Sequence, residues 1–268
     1  MRGVCEYKIR NLTMPTLTFE KKGHKYLLDG KPLTGVTSVL QAIAKPALIQ
    51  WSADMAVKYV REKTEGLEAI GKQQLEEILE EARLAHRRKK EEAGSKGTDV
   101  HEIIEENIKA TISDPTGSYM IYGNEQVRKF FDWVIENKVK FLASEQQVYS
   151  ETHWLAGTYD FLCEINGKKY VGDIKTSSGI YGREYFAQCA AYRMMLEEME
   201  LIEKMKADKG DGFTLTQYEG SVVVRLGKDG SFEEMYSTDY DSDKRLFLAC
   251  LEVYRTMQTF QPVELIKQ

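Results

Sequence analysis

The stretch GTYDFLCEINGKKYVGDIKTS, residues 157–177, contains an Asn-Gly pair between two runs rich in β-branched and aromatic residues. Asn-Gly in this position is a strong signal for a two-residue hairpin turn with positive φ at both residues. The turn sets the register, so the predicted facing pairs are Ile165–Lys168, Glu164–Lys169, Leu162–Val171, Asp160–Asp173 and Thr158–Lys175. The sequence therefore predicts two strands that bring two acids and a lysine together.

Side chains alternate along a strand, so Asp160, Asp173 and Lys175 are predicted to share one face of the hairpin. The other face is predicted to be the core, formed by Tyr159, Phe161, Cys163, Tyr170 and Ile174. Two facing carboxylates are destabilising unless something compensates them. A Mg²⁺ or Mn²⁺ ion would do so, because carboxylate oxygens are hard ligands and such ions are often completed by phosphate. The alternative is a set of solvated surface charges on an edge hairpin.

The order of Asp160 and then Asp173-Ile174-Lys175 on the next strand resembles the core motif of the PD-(D/E)XK nuclease superfamily. The N-terminal segment 26–60 also resembles the opening of phage-encoded nucleases of the RecB-like branch of this superfamily. The resemblance implies a restriction-endonuclease-like α/β fold and a metal-dependent phosphodiester hydrolase.

Two flanking motifs resemble elements of the same RecB-like branch. GTDVHEIIEE, residues 97–106, resembles the G-T-x-x-H element and places His101 in the first turn of a helix predicted to be capped by Thr98. AQCAAYRMML, residues 187–196, contains Gln188 and Tyr192 in a Q-x-x-x-Y arrangement. Without the resemblance, His101 reads equally well as a surface histidine, and the other two as ordinary helix packing. The resemblance covers about residues 95 to 200.

Site roles follow from the resemblance. One or two Mg²⁺ or Mn²⁺ ions are expected on Asp160, Asp173, His101 and the backbone carbonyl of Ile174. Lys175 is expected to position the attacking water and to offset charge in the transition state. Glu145 is either a further acid ligand or a surface residue. The expected substrate-binding residues are Gln188, Tyr192, Thr176 and Arg183.

The coarse pattern predicts an α/β protein with a mixed central sheet flanked by helices. Its expected core order is helix, three-stranded antiparallel meander, helix, strand, preceded by a mostly helical N-terminal extension. The extension is assigned to residues 1–94 and the nuclease core to 95–268, in one compact unit. The expected elements are a hairpin turning at Asp29-Gly30, helices from about 37, from about 46 and over about 67–92, the His101 helix, a helix over about 123–140, strands over 141–151, 157–165 and 168–177, a helix over about 183–205, a strand over 220–226 and a helix over about 240–259.

Bulk properties exclude some classes of protein. No run approaches the ~18 apolar residues of a membrane span and the N-terminus lacks an apolar signal core, which favours a cytoplasmic location without membrane partners. The four cysteines are scattered, so we expect free thiols and no iron–sulfur cluster. The net charge of −5 argues against a general nucleic-acid coating protein. The run HRRKK at 86–90 is a basic element, although a solvated helix face explains it as well.

The sequence thus predicts a metal-dependent DNA nuclease, with DNA as its partner. The resemblance favours an exonuclease over a structure-specific endonuclease, and implies a phage or prophage gene acting in a bacterial host. The resemblance is compatible with a homo-oligomer or with a phage recombination or replication partner, and the sequence does not choose between them. Two alternatives stay open: a catalytically idle nuclease fold that binds DNA or protein, and a nucleotide-processing enzyme using the same metal chemistry.

Overall fold

The computed structural model describes residues 15–114, 124–207 and 214–259, without the side chains of 46–47 and 92–98. The strands are β1 (Leu17–Glu20), β2 (Lys25–Leu28), β3 (Lys31–Gly35), β4 (Lys140–Ser150), β5 (Leu155–Ile165), β6 (Lys168–Lys175), β7 (Gly220–Leu226) and β8 (Phe232–Ser237). The helices are α1 (Val36–Val39) with the 3-10 turn Leu40–Ala42, α2 (Pro46–Thr64), α3 (Lys72–Ser113), α4 (Glu125–Glu136), α5 (Glu184–Lys206) and α6 (Tyr240–Gln258).

Within the described residues, all the strands belong to one mixed sheet. Strands β4, β5 and β6 form an antiparallel meander, and α5 then leads to β7, which pairs with β6 in parallel. β8 adds an antiparallel edge. At the other end, β1–β3 form an antiparallel set that joins the sheet through parallel pairing of β3 with β5. The predicted α/β class with a mixed sheet flanked by helices is confirmed.

Strand β5 is paired along only part of its length on one of its two edges. β4 pairs with one edge along nearly its whole length. On the other edge, β3 pairs with Leu155 and Ala156, and β6 pairs with residues 161–165. On this edge, residues 157–160 therefore have no paired strand among the described residues. They lie between the segment that pairs with β3 and the segment that pairs with β6. Asp160 lies in this gap in the sheet.

Both faces of the hairpin are core, which corrects the expectation of one core face and one open face. On one face Leu162 and Val171 pack with α1, α5 and α6. On the other, Phe161 and Ile174 pack with α3 and α4. Tyr159 was predicted to lie on the same face as Phe161 but belongs to the Leu162 cluster. In a regular strand, residues three apart point to opposite faces of the sheet. Tyr159 and Leu162 point to the same face, so the regular alternation is interrupted once between them, at Asp160 or Phe161.

The N-terminal helices differ from the prediction in one respect. The helix expected at 67–92 and the separate His101 helix are one continuous helix, α3, so Thr98 is not its cap and the proposed boundary at 94/95 lies inside it. The helix continues through the glycines at 94 and 97, each of which costs only about 1 kcal/mol in a helix. Ala82 before these glycines and Ile104 after them are both buried, so each half of the helix packs against the rest of the protein.

Local turn chemistry was predicted well. Asn166 and Gly167 have φ values of 52° and 78°, and Asp29 and Gly30 have values of 49° and 75°, as two-residue hairpin turns require. β7 has the predicted bounds. β1 and β8 were not predicted. Among the described helices, none is long and apolar enough to cross a bilayer.

Candidate metal centre

The predicted register of the hairpin holds only as far as its fifth pair. The observed pairs run from Ile165–Lys168 to Phe161–Gly172, as counted from the turn. The next facing pairs, Asp160–Asp173 and Thr158–Lys175, do not occur in this part of the chain, because the strands separate there. Instead, the backbone N–H of Ile174 donates to Asp160 Oδ2 at 2.6 Å. The Asp160 carboxylate thus takes the place of a strand partner at the point of separation.

Three potential ligands from three elements meet beside this point. His101 comes from α3, Glu145 from β4 and Asp160 from β5, and one ligand atom of each lies within 4.8 Å of the other two. His101 Nδ1 is 3.8 Å from Asp160 Oδ2. All three side chains are partly buried. The structure therefore brings together two acids and an imidazole that are far apart in the sequence.

Glu145 reaches this cluster through an unusual backbone conformation. Its φ is 49°, although its neighbours Ser144 and Gln146 keep their pairing with β5. A non-glycine residue in this region costs on the order of 1–3 kcal/mol and is often found at functional sites. Burial raises the pKa of Glu145 to about 8, and the nearby carboxylates of Asp160 and Glu105 add to the effect. The metal-free protein therefore holds Glu145 mainly protonated at pH 7.

Asp173 lies beside this cluster rather than within it, and is 1% exposed. Lys175 Nζ donates to its Oδ1 at 2.7 Å. The same ammonium is 2.6 Å from Oδ2 but without hydrogen-bond geometry, so this buried oxygen has no hydrogen-bond partner among the described residues. Burial raises the pKa of Asp173 to about 6; Lys175 opposes this shift and Asp160 adds to it.

The charge states of Lys175 and His101 follow from their surroundings. Burial alone would lower the pKa of Lys175, but the carboxylates of Asp173 and Asp160 outweigh it and raise that pKa. Burial and the Lys175 ammonium lower the pKa of His101. At neutral pH the lysine is therefore charged and the imidazole is neutral, so Lys175 can stabilise negative charge and His101 can ligate a cation.

Gln188 and Tyr192 hold Asp173 from α5. Gln188 Nε2 donates to Asp173 Oδ1 at 3.1 Å and to the Tyr192 hydroxyl oxygen at 3.0 Å. Tyr192 is 2% exposed and packs against Gly157, where a Cβ would lie 2.6 Å from the tyrosine ring. In this arrangement Tyr192 positions Gln188, and Gln188 positions the carboxylate.

Other predicted site residues lie at the margin. Arg183 forms ion pairs with Asp243 and Asp239 at 2.6 Å and 2.9 Å, which ties it to α6. Thr176 follows β6 directly and is partly exposed. The ligand role of the Ile174 carbonyl stays a prediction; its side chain is in the core.

Three residues near the site were not predicted. Glu105, four residues after His101, raises the pKa of Glu145 and Asp160, and its helical spacing could have indicated this. The Tyr185 ring centroid is 5.7 Å from Lys175 Nζ and 5.9 Å from Lys45 Nζ. The sequence around Lys45 gives no indication that this residue lies near the site, because only the fold brings the start of α2 to the start of α5.

No known protein-family model matches the chain, and a search of curated proteins finds no significant match.

Proposed function

We propose that this protein is a metal-dependent DNA nuclease that hydrolyses phosphodiester bonds. One observation carries the proposal: the cluster of His101, Glu145 and Asp160 lies beside a buried Asp173–Lys175 pair. The cluster is suited to a cation, and the pair supplies a fixed positive charge next to it.

The residues fit a divalent cation on three counts. Two carboxylates and a neutral imidazole form a donor set that suits Mn²⁺ and, with waters, Mg²⁺. The acids at the site have raised pKa values, so a cation would relieve an existing electrostatic cost. Asp173 Oδ2 is a buried acceptor without a hydrogen-bond partner in the described chain. His101, Glu145, Asp160 and Asp173 would hold the ion, which when bound supplies Lewis acidity and lowers the pKa of a bound water.

The residues around the ion have separate tasks. Lys175, held by Asp173, keeps its proton at neutral pH and so cannot act as a general base. It stabilises the charge that builds up on the phosphate oxygens and orients a water. Gln188 and Tyr192 fix the Asp173 carboxylate. Loss of a fixed electrostatic stabiliser typically costs about 10²–10³-fold in rate.

The element order also supports the proposal. A helix, the meander β4–β6, the helix α5 and the parallel strand β7 follow one another as in a restriction-endonuclease-like core. The preference for an exonuclease, the phage or prophage origin and the action in the bacterial cytoplasm rest on the resemblance of the sequence motifs to the RecB-like branch.

A cleavage assay tests the proposal directly. Labelled single- and double-stranded DNA, linear and circular, would be incubated with the protein in Mg²⁺, Mn²⁺ or EDTA, with Asp160→Asn as the inactive control. We expect cleavage that needs the metal and is lost in the variant. Resistance of circular DNA would indicate an exonuclease. Metal-independent binding without cleavage would favour the idle nuclease fold, and hydrolysis of free nucleotides alone would favour a nucleotide-processing enzyme.

A further inference from the structure

The loop 176–183 between β6 and α5 directly follows Lys175 and carries a strongly exposed tyrosine. Tyr181 is 71% exposed and lies six residues after Lys175. Its neighbour Ile180 packs against the core on the α5 side of the sheet. The loop thus has an anchored side and an exposed aromatic side.

The Tyr181 ring is held in place although it is exposed. Its hydroxyl donates to Ser178 Oγ at 2.8 Å. The ring covers Gly179, where a Cβ would lie 2.7 Å from Tyr181 Cζ. Ser177 fixes the start of the loop, because its hydroxyl donates to the Gly179 carbonyl at 3.0 Å and its own carbonyl accepts from Arg225 at 3.4 Å. An ordered ring that buries little of its own surface offers a flat face to a ligand.

A second cation stands next to this loop. Tyr185, in the first turn of α5, has its ring within 6 Å of both Lys175 and Lys45. The Lys45 side chain is 42% exposed, and its single ion pair among the described residues is with Glu184 at 3.5 Å. Lys45 therefore places a partly exposed ammonium beside Glu184 and Tyr185, which directly follow the loop.

We propose that Tyr181 is a stacking platform for an unpaired base, and that Lys45 contacts a phosphate of the same strand. The inference rests on the proposed function and names its substrate as a single-stranded DNA segment. A base inside a duplex is stacked on both faces, so a protein ring can stack only on a terminal, extruded or single-stranded base.

The negative charge near the site favours a binding contact that does not depend on charge. Glu145 and Asp160 lie in the cluster, Asp173 lies beside it, and the chain has a net charge of −5, so the side chains alone attract phosphate weakly. Stacking on an aromatic ring does not depend on charge and accepts any base. By alanine substitution such a contact changes affinity by about 5- to 150-fold per base.

The first test measures KM and kcat on a single-stranded oligonucleotide with Mn²⁺. Tyr181→Ala should raise KM by about 5- to 150-fold with little change in kcat, whereas Tyr181→Phe should resemble wild type because it keeps the ring. Lys45→Ala should raise KM and weaken its dependence on salt. Lys58→Ala, which removes an exposed lysine of α2 paired with Glu62, is the matched control and should leave KM unchanged.

The second test uses oligonucleotides with one abasic site at successive positions. At one position the abasic substrate should bind wild type more weakly, with no further loss in Tyr181→Ala, because both changes remove the same contact. An unchanged KM in Tyr181→Ala, or no such position, would overturn the inference while leaving the nuclease proposal standing if wild type cleaves DNA. If wild type neither binds nor cleaves DNA with any metal, both proposals fail.

Discussion

Replacement of Lys175 by methionine would leave Asp173 as a buried carboxylate without its cation. The side chain of Asp173 is 1% exposed and that of Lys175 is 22% exposed. Removing one partner of a buried ion pair typically costs about 3–5 kcal/mol, because the remaining charge is uncompensated. We therefore expect Lys175→Met to lower the free energy of unfolding as well as to abolish the proposed cleavage of DNA.

The size of this loss should depend on pH. The pKa of Asp173 is already raised to about 6, mainly by burial, and loss of the Lys175 ammonium would raise it further. Protonation then neutralises the orphaned carboxyl, and the hydrogen bond from Gln188 remains available. The loss in unfolding free energy should therefore be smaller at pH 5 than at pH 8. At pH 8 the variant must either bury the charged carboxylate or bind a proton from a solution that contains few of them.

A double-mutant cycle measures the pair. Urea denaturation of wild type, Lys175→Met, Asp173→Asn and the double variant, without metal at pH 7.5, gives the coupling energy. We expect about 2 kcal/mol, with the double variant more stable than the sum of the single changes predicts. The cleavage rate should be lost in all three variants. Additivity within about 0.5 kcal/mol would show that the pair does not stabilise the fold.

Three further outcomes follow from the geometry. His101→Ala should weaken Mn²⁺ binding in isothermal titration, whereas His86→Ala on the same helix should not; equal affinities would remove His101 from the site. The pKa of Glu145 is raised to about 8, above its unfolded value, so the folded protein binds the Glu145 proton more tightly than the unfolded chain does. The stability that this proton gives the metal-free protein is lost as pH rises from about 4.3 to about 8. The melting temperature should fall over that range, and less steeply in Glu145→Gln; identical slopes would contradict this. Gly157→Ala should destabilise the protein by about 1–3 kcal/mol in urea, because its Cβ would meet the Tyr192 ring; a loss below about 0.5 kcal/mol would show that the ring moves freely.

The hairpin could be predicted because its determinants are local. Asn166-Gly167 specifies the turn, and the turn specifies the register of the five pairs next to it. The separation beyond Phe161 could not be counted from the turn. It depends on the Phe161 ring occupying the space above Gly172, where a Cβ would lie 2.0 Å from the ring, and on Asp160 accepting from the Ile174 N–H.

The site residues divide in the same way. Asp160, Asp173 and Lys175 share a short segment, and the structure places them near one another, although not in the predicted facing pairs. The position of Glu145 depends on its positive φ, and a glutamate in the sequence gives no indication of such a backbone conformation. Lys45 reaches the site only because β3 pairs with β5 and so brings the start of α2 alongside.

The gap in the sheet explains why the site forms where it does. His101 belongs to α3, on one face of the sheet, and Gln188 to α5, which covers the other. A continuous sheet would separate groups on these two helices. At residues 157–160 one edge of β5 has neither β3 nor β6 as a partner, so Asp160 can contact His101 from one side and the Ile174 N–H from the other. Burial at this interruption raises the pKa values of Asp160 and Asp173, and the hydrogen bond from the Ile174 N–H opposes that rise for Asp160. The buried carboxylates that could hold a cation thus lie at the point where the sheet is interrupted.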